Sequence, residues 1–151
     1  MARYSVEIET PMAVDEAFAY MADLRNFASW DVGVRSSRQV AGSEPGLDAS
    51  YDVAVRVGPT ELTLRYLTTS FDPPHALVAV AENRLLSSHD TIRVRPLNSG
   101  AVVSYDAVLT LKGMAHVADP LLGLSFNQIG TKATDGLVRA LHGRRLDLAE
   151  S

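Results

Sequence analysis

Between Ser50 and Leu111 apolar residues recur at every second position, and beyond Gly113 the recurrence changes to a helical spacing that runs to Leu148. A two-residue period puts alternate side chains on opposite faces of a strand, whereas a period near 3.6 lays one stripe along a helix. A chain that forms strands with one apolar face and then one amphipathic helix has to set that helix on that face. The expected product is a curved sheet closed by one long helix, a geometry that makes a container.

The remaining segments fill in this outline. Residues 4–10 alternate as Tyr4, Val6, Ile8 against Ser5, Glu7, Glu9, a half-buried strand that Pro11 ends. From Val14 the pattern becomes Ala17, Phe18, Met21, Leu24, with Asp15 and Glu16 in the first turn where the helix dipole favours carboxylates, which predicts two short helices over 14–22 and 24–30. Strands follow at 34–40, 50–57, 61–71, 76–81, 87–96 and 101–112, separated by turn-forming clusters such as Gly58-Pro59 and Asn98-Ser99-Gly100. That makes seven strands, and short turns between consecutive strands require antiparallel pairing. The fold class is α+β, and the 151 residues form one domain with no repeat or linker to divide them.

In the last helix Leu122, Phe126, Ile129, Gly130, Ala133, Leu137, Ala140 and Leu141 share one arc, opposite Gln128, Lys132, Asp135, Arg139 and His142. Its start falls between 115 and 120: Asp119 and Pro120 are either an N-cap and first-turn pair or a bend in a helix begun earlier. Glycines at 123, 130 and 136 weaken a helix by about 1 kcal/mol each relative to Ala, so they call for a compensating reason. Either the helix approaches the sheet closely there, or space is left between them for a ligand.

Composition removes several function classes. A net charge of −4 argues against a nucleic-acid partner, and the cluster Arg139, Arg144, Arg145 reads as solvated cations at a helix C-terminus. With no Cys there are no disulfides, thiolate nucleophiles or cysteine-held metals. His75, His89, His116 and His142 are scattered without ligand spacing, so neither a metal nor another cofactor is called for. No phosphate loop, nucleophile elbow, leader pattern or span of about 20 apolar residues occurs, and a cytoplasmic location is the expectation.

Strand parity turns the container into a candidate site. The inward set on the strands is Tyr51, Val53, Val55, Val57, then Leu62, Leu64, Tyr66, then Ile92, Val94, then Tyr105, Ala107, Leu109, Leu111. Tyr66 and Tyr105 are either core tyrosines whose hydroxyls reach solvent or backbone, or polar tips on the wall of a small-molecule pocket. Asp90 shares their parity; a buried, unpaired carboxylate is costly, so it must meet water, an arginine or a ligand, or sit near the open end of its strand, where we expect it. The walls expected to touch a ligand are Tyr51, Val53, Leu64, Tyr66, Ile92, Tyr105, Ala107, Phe126, Ile129, Gly130 and Ala133.

The order strand, two short helices, six antiparallel strands and a long helix resembles the helix-grip fold of the START-like (SRPBCC) superfamily. The local marks are PMAVDEAFAYMADLRNFASW with Trp30 closing the second helix, GLDASYDV, the Asp72–Pro74 turn, GAVVSYDAVLTLKG and PLLGLSFNQIGTKATDGLVRAL. The polyketide cyclase/dehydrase and lipid-transport branch is the most similar. The resemblance implies an apolar cavity between sheet and last helix, and hence binding or transport of a lipid, polyketide-like or other ring compound.

Two alternatives accompany that reading. One is a cofactor-independent cyclase or dehydratase, for which Tyr66, Asp90, Tyr105 and His89 are the candidate acid–base groups. Enzymes of the superfamily usually add an arginine to such a pocket, whereas Arg56, Arg65, Arg93 and Arg95 all carry outward parity here. The other is a non-catalytic protein-interaction module.

Overall fold

In the computed structural model, which describes residues 2–57, 59–113 and 119–146 and all of their side chains except those of 57 and 119–129, the alternating segments pair into one antiparallel sheet. The strands are β1 (Ala2–Thr10), β2 (Val34–Ala41), β3 (Ser50–Val57), β4 (Thr60–Asp72), β5 (Ala76–Glu82), β6 (Leu86–Leu97), β7 (Gly100–Leu111) and β8 (Arg144–Leu146). Their spatial order is β2-β3-β4-β5-β6-β7-β1-β8. The hairpins from β2 to β7 make a meander, and β1 closes onto β7 with Tyr4 opposite Ala107 and Val6 opposite Tyr105.

Because β1 and β2 lie far apart in the sheet, the chain between them has to cross its inner face. It does so as α1 (Val14–Ala22), a 3-10 turn at Leu24–Asn26 and α2 (Phe27–Trp30). The 3-10 turn divides the second expected helix, and Asp23 starts it by accepting the backbone N–H of Arg25 at 3.1 Å. Ala17, Phe18, Met21, Leu24, Phe27 and Trp30 are buried by this crossing. The long helix α3 (Asp119–Leu141) packs against β1 and α2.

The inner-face alternation holds. Tyr51, Val53, Leu64, Tyr66, Ile92, Val94, Tyr105 and Ala107 are buried, and Val55, Leu62, Leu109 and Leu111 are half-buried against the core. Every expected strand is present with ends displaced by two residues or fewer.

Two expectations need correction. The sheet has eight strands rather than seven, and the helix stops at Leu141 instead of running on to Leu148. His142 adopts a left-handed φ of 53°, and the last turn is closed by His142 N–H to the Arg139 carbonyl (3.3 Å) and Gly143 N–H to the Val138 carbonyl (3.0 Å). These two bonds form a Schellman ending. The chain then presses on β1: a Cβ at Gly143 would lie 2.0 Å from the Glu9 carbonyl oxygen, and β8 pairs with Glu7–Glu9. Thr10 Oγ1 donates to the Leu141 carbonyl at 2.5 Å, fixing the same corner. Arg144 and Arg145 therefore lie on β8, where Arg144 meets Glu9 at 2.8 Å, and of the expected cationic cluster only Arg139 lies in the last helical turn.

Candidate functional site

Three cross-strand rows on the inner face bring the polar candidates together. In the first, Tyr66 of β4 stands opposite Ala81 of β5, which stands opposite Ser88 of β6. In the second, Ala79, Asp90, Ala107 and Tyr4 are aligned, and in the third Leu77, Ile92, Tyr105 and Val6. Small side chains at 79, 81 and 107 leave room for long ones to reach across the pleat.

Across that room runs a chain of hydrogen bonds. The Tyr66 hydroxyl passes over Ala81 and donates to Ser88 Oγ at 2.9 Å, and Ser88 Oγ donates to Asp90 Oδ1 at 2.8 Å. The Tyr105 hydroxyl reaches diagonally past Ala107 and donates to Asp90 Oδ2. Asp90 is 2% exposed in the middle of β6. The expectation that it would lie near an open strand end is wrong, because two hydroxyl donors supply the partners that a strand end would have found in water.

Aromatic edges surround the network. Phe27 stands edge-on to Tyr66 (5.9 Å between ring centroids) and to Tyr105 (6.4 Å), and Trp30 stands edge-on to Tyr105 (5.3 Å). Tyr4 lies 6.1 Å from the Tyr105 ring and hydrogen-bonds to Thr134 of α3, whose hydroxyl donates to the Gly130 carbonyl at 2.8 Å. α2 thus covers the network while Tyr4 ties it to the long helix.

Burial sets the electrostatics. Loss of hydration pushes the Asp90 carboxyl up to about 6, the hydrogen bonds from Tyr105 and Ser88 pull it back, and the carboxylates of Asp31 and Asp106 push it further. The hydroxyls of Tyr66 and Tyr105 are held well above the ordinary phenol value, first by burial and then by the negative charge of Asp90. Asp31, directly after Trp30, accepts the Gly33 N–H at 2.9 Å and is itself raised by burial. Among the described residues, no lysine or arginine hydrogen-bonds to the network.

The expected wall residues divide. Tyr51, Val53 and Ile92 are sealed in the core at 0–1% exposure, whereas Leu64, Tyr66, Tyr105 and Ala107 keep 5–7%. Leu62, Leu109 and Leu111, on the same face of β4 and β7, are half-buried against the core. Ala133 is buried, and the side chains of Phe126 and Ile129 lie outside the described residues. Of the two alternatives left open at the helical glycines, close approach is the one found at two of them: a Cβ at Gly130 would stand 2.6 Å from the Tyr4 ring, and one at Gly136 would stand 1.8 Å from the Trp30 carbonyl oxygen. Close packing explains both.

Among the acid–base candidates, His89 is exposed on the outer face and takes no part, like His75 and His142, while His116 lies outside the described residues. Arg56, Arg65, Arg93 and Arg95 are exposed as parity requires. Sequence reasoning missed Ser88, although it shares parity with Asp90 two positions on, and Tyr4 and Thr134, whose meeting depends on how α3 crosses β1. No group of metal-binding side chains and no helix long and apolar enough to cross a membrane occurs among the described residues. An open groove of about 520 Å³ lies outside α1 between Phe18, Phe71 and Pro74, but its guanidinium, Arg25, is already engaged by Asp23 at 2.7 Å.

A family model described as polyketide cyclase / dehydrase and lipid transport matches residues 1–144. No curated protein matches the chain in sequence. Among solved structures, a START superfamily protein from Mycobacterium smegmatis superposes with a TM-score of 0.75 at 9% identity, covering 94% of this chain and 98% of that one. A protein from Thermus thermophilus, TTHA0849, gives 0.73 at 13% identity, covering 92% and 93%. The di-domain ARO/CYC StfQ from the steffimycin biosynthetic pathway gives 0.67 at 16% identity, with 91% of this chain matched to 48% of that one. At these identities the likeness is one of fold, a curved antiparallel sheet gripping a long C-terminal helix.

Proposed function

The chain belongs to the polyketide cyclase / dehydrase and lipid transport family, and from that membership we propose that it binds a hydrophobic small molecule between the inner face of the sheet and α3, as a carrier or sensor. The observation that carries this reading is the Tyr66–Ser88–Asp90–Tyr105 network, a connected polar group, each of its hydroxyls donating within it, set into an apolar and aromatic wall. Ligand sites combine these features, apolar area for affinity and a few fixed polar groups for orientation. The surface kept by Leu64, Tyr66, Tyr105 and Ala107 supports the same placement.

The energetics suffice. Shielding about 300 Å² of apolar ligand surface contributes roughly 7 kcal/mol at 25 cal/mol per Å², before the cost of association. Micromolar affinity corresponds to about 8 kcal/mol, so apolar contact with one or two hydrogen bonds reaches that range. The test is native mass spectrometry of protein purified without detergent, followed by extraction and identification of what is released. A discrete apolar molecule is the expected result. Protein that is clean as isolated and that fails to take up any apolar probe on titration refutes the reading.

A second reading, a cofactor-independent cyclase or dehydratase, is favoured by one observation: Asp90 titrates near 6 beside Tyr105. A carboxylate in that range takes and returns a proton at neutral pH, which makes Asp90 the base and Tyr105 or Tyr66 the proton donor. Turnover of a β-ketothioester that disappears in Tyr105→Phe while the variant stays folded would establish it. Lack of turnover in the wild type would return the network to ligand orientation.

A further inference from the structure

The direction of each hydrogen bond in the network determines what it offers to a ligand. Tyr66 has one hydroxyl hydrogen and gives it to Ser88, Ser88 gives its own to Asp90 Oδ1, and Tyr105 gives its own to Asp90 Oδ2. Three hydroxyl hydrogens therefore make three internal bonds. What remains on the network are lone pairs: those of the Tyr66 and Tyr105 oxygens, and the unused acceptor capacity of the Asp90 carboxylate. The nearby carboxyl of Asp31, which accepts from Gly33, adds acceptor capacity and no donor. The arginines that would supply donors are on the outer face: Arg65 is bound to Asp52 at 2.7 Å and Arg95 to Glu7 at 2.8 Å.

We propose that the ligand this network accepts presents a hydrogen-bond donor to it, a hydroxyl, and neither a carbonyl nor a carboxylate. The inference rests on the binding function proposed above and names the class of ligand for that site. A hydroxyl placed against the Tyr66 and Tyr105 oxygens completes the network. A carbonyl placed against those same oxygens would face lone pairs alone, and a carboxylate there would add the repulsion of Asp90. In a low-dielectric interior an unmatched polar group is heavily disfavoured, so the discrimination is large.

Three naphthalenes of similar apolar area and different polar group provide the test: 2-naphthol, 2-methoxynaphthalene and 2-naphthoate, titrated at pH 8 by isothermal calorimetry or by their own fluorescence. The wild type is expected to bind 2-naphthol about tenfold or more tightly than 2-methoxynaphthalene, and 2-naphthoate most weakly. Asp90→Asn adds amide N–H donors to the same place, and the preference should shrink to threefold or less, with folding checked by circular dichroism. Equal affinity for the naphthol and its methyl ether in the wild type, or an unchanged preference in the folded variant, overturns the proposal and leaves the binding function standing. Failure of all three probes to bind overturns this inference, and in protein that is also clean as isolated and takes up no other apolar probe it overturns the binding function with it.

Discussion

Replacing Asp90 by Asn should make the protein more stable at neutral pH and should flatten its response to pH. In the folded state the Asp90 carboxyl titrates near 6, against an ordinary value of 3.8. Between these two values the folded protein retains a proton that the unfolded chain has released, so stability falls as pH rises through the window. The contribution is fully present below about 4 and lost above about 6. At about 1.36 kcal/mol for each tenfold change, the penalty on the wild type at pH 7.5 is about 3 kcal/mol. For a chain of this size that corresponds to a melting-temperature difference of about 6–12 °C.

Asn preserves the shape of Asp90 and accepts the Tyr105 bond through its carbonyl oxygen, but its other contacts differ, and that difference alone is worth about 0.5–1.5 kcal/mol per hydrogen bond. Comparing the two proteins at one pH would therefore mix two effects. The informative quantity is the change in their stability difference between pH 4 and pH 7.5, from urea unfolding, in which the pH-independent part cancels. Because the unfolded carboxyl is already more than half ionised at pH 4, the expected change is about 2 kcal/mol in favour of Asn at the higher pH. Parallel stability profiles across that range would refute the reasoning and would mean that Asp90 is hydrated in solution.

Tyr105→Phe removes a donor from the buried carboxylate and should cost about 1.5–3 kcal/mol at pH 8 and less at pH 4.5, measured by the same unfolding experiment. Ala81→Leu fills the gap that Tyr66 crosses to reach Ser88, and should destabilise by about 1–3 kcal/mol. In that background Tyr66→Phe should add little, because the bond it deletes is already broken. Gly136→Ala improves helix propensity by about 1 kcal/mol yet should be destabilising by about 2 kcal/mol or more, since its Cβ would meet the Trp30 carbonyl oxygen at 1.8 Å. Gly130→Ala should cost less, because there the obstacle is the Tyr4 ring, and a shift in thermal midpoint ranks the two.

Period and parity made most of the fold legible. The two-residue alternation put Tyr66, Asp90 and Tyr105 on one face, and the structure keeps them there. Parity reports a face and carries no information on depth or on partners. That Asp90 lies at the centre of the network follows from the joint register of β5, β6 and β7, which aligns Ala79, Asp90 and Ala107. Ser88 was hidden for the same reason, since its bond to Tyr66 crosses an intervening strand. The end of the last helix was misread because Leu141 and Leu148 continue the helical spacing past the turn, and because the left-handed position is filled by His142 rather than by a glycine. Gly130 and Gly136 were ambiguous in sequence, since close approach and open space select the same small residue.

The placement of charge also bears on whether the site binds or catalyses. On the outer face Arg3 meets Asp106 at 2.9 Å, Arg65 meets Asp52, and Arg95 meets Glu7. Exposed pairs of this kind add little to stability. Their consequence lies in where they leave the cations, because the described inner face is left with the acids Asp90 and Asp31 and no guanidinium bonded to them. Enolate or alkoxide formation on a ligand would place negative charge beside that carboxylate, in a setting where a preorganised donor is the usual means of stabilisation. A neutral ligand with a hydroxyl makes no such demand, since it meets apolar walls and gives its proton to an oxygen already fixed in place. The charge distribution therefore weighs toward holding a ligand over transforming it. Introducing a cation inside, as in Leu64→Arg, should raise affinity for 2-naphthoate relative to 2-naphthol in protein that remains folded. Unchanged relative affinities in that variant would show that interior charge does not select the ligand.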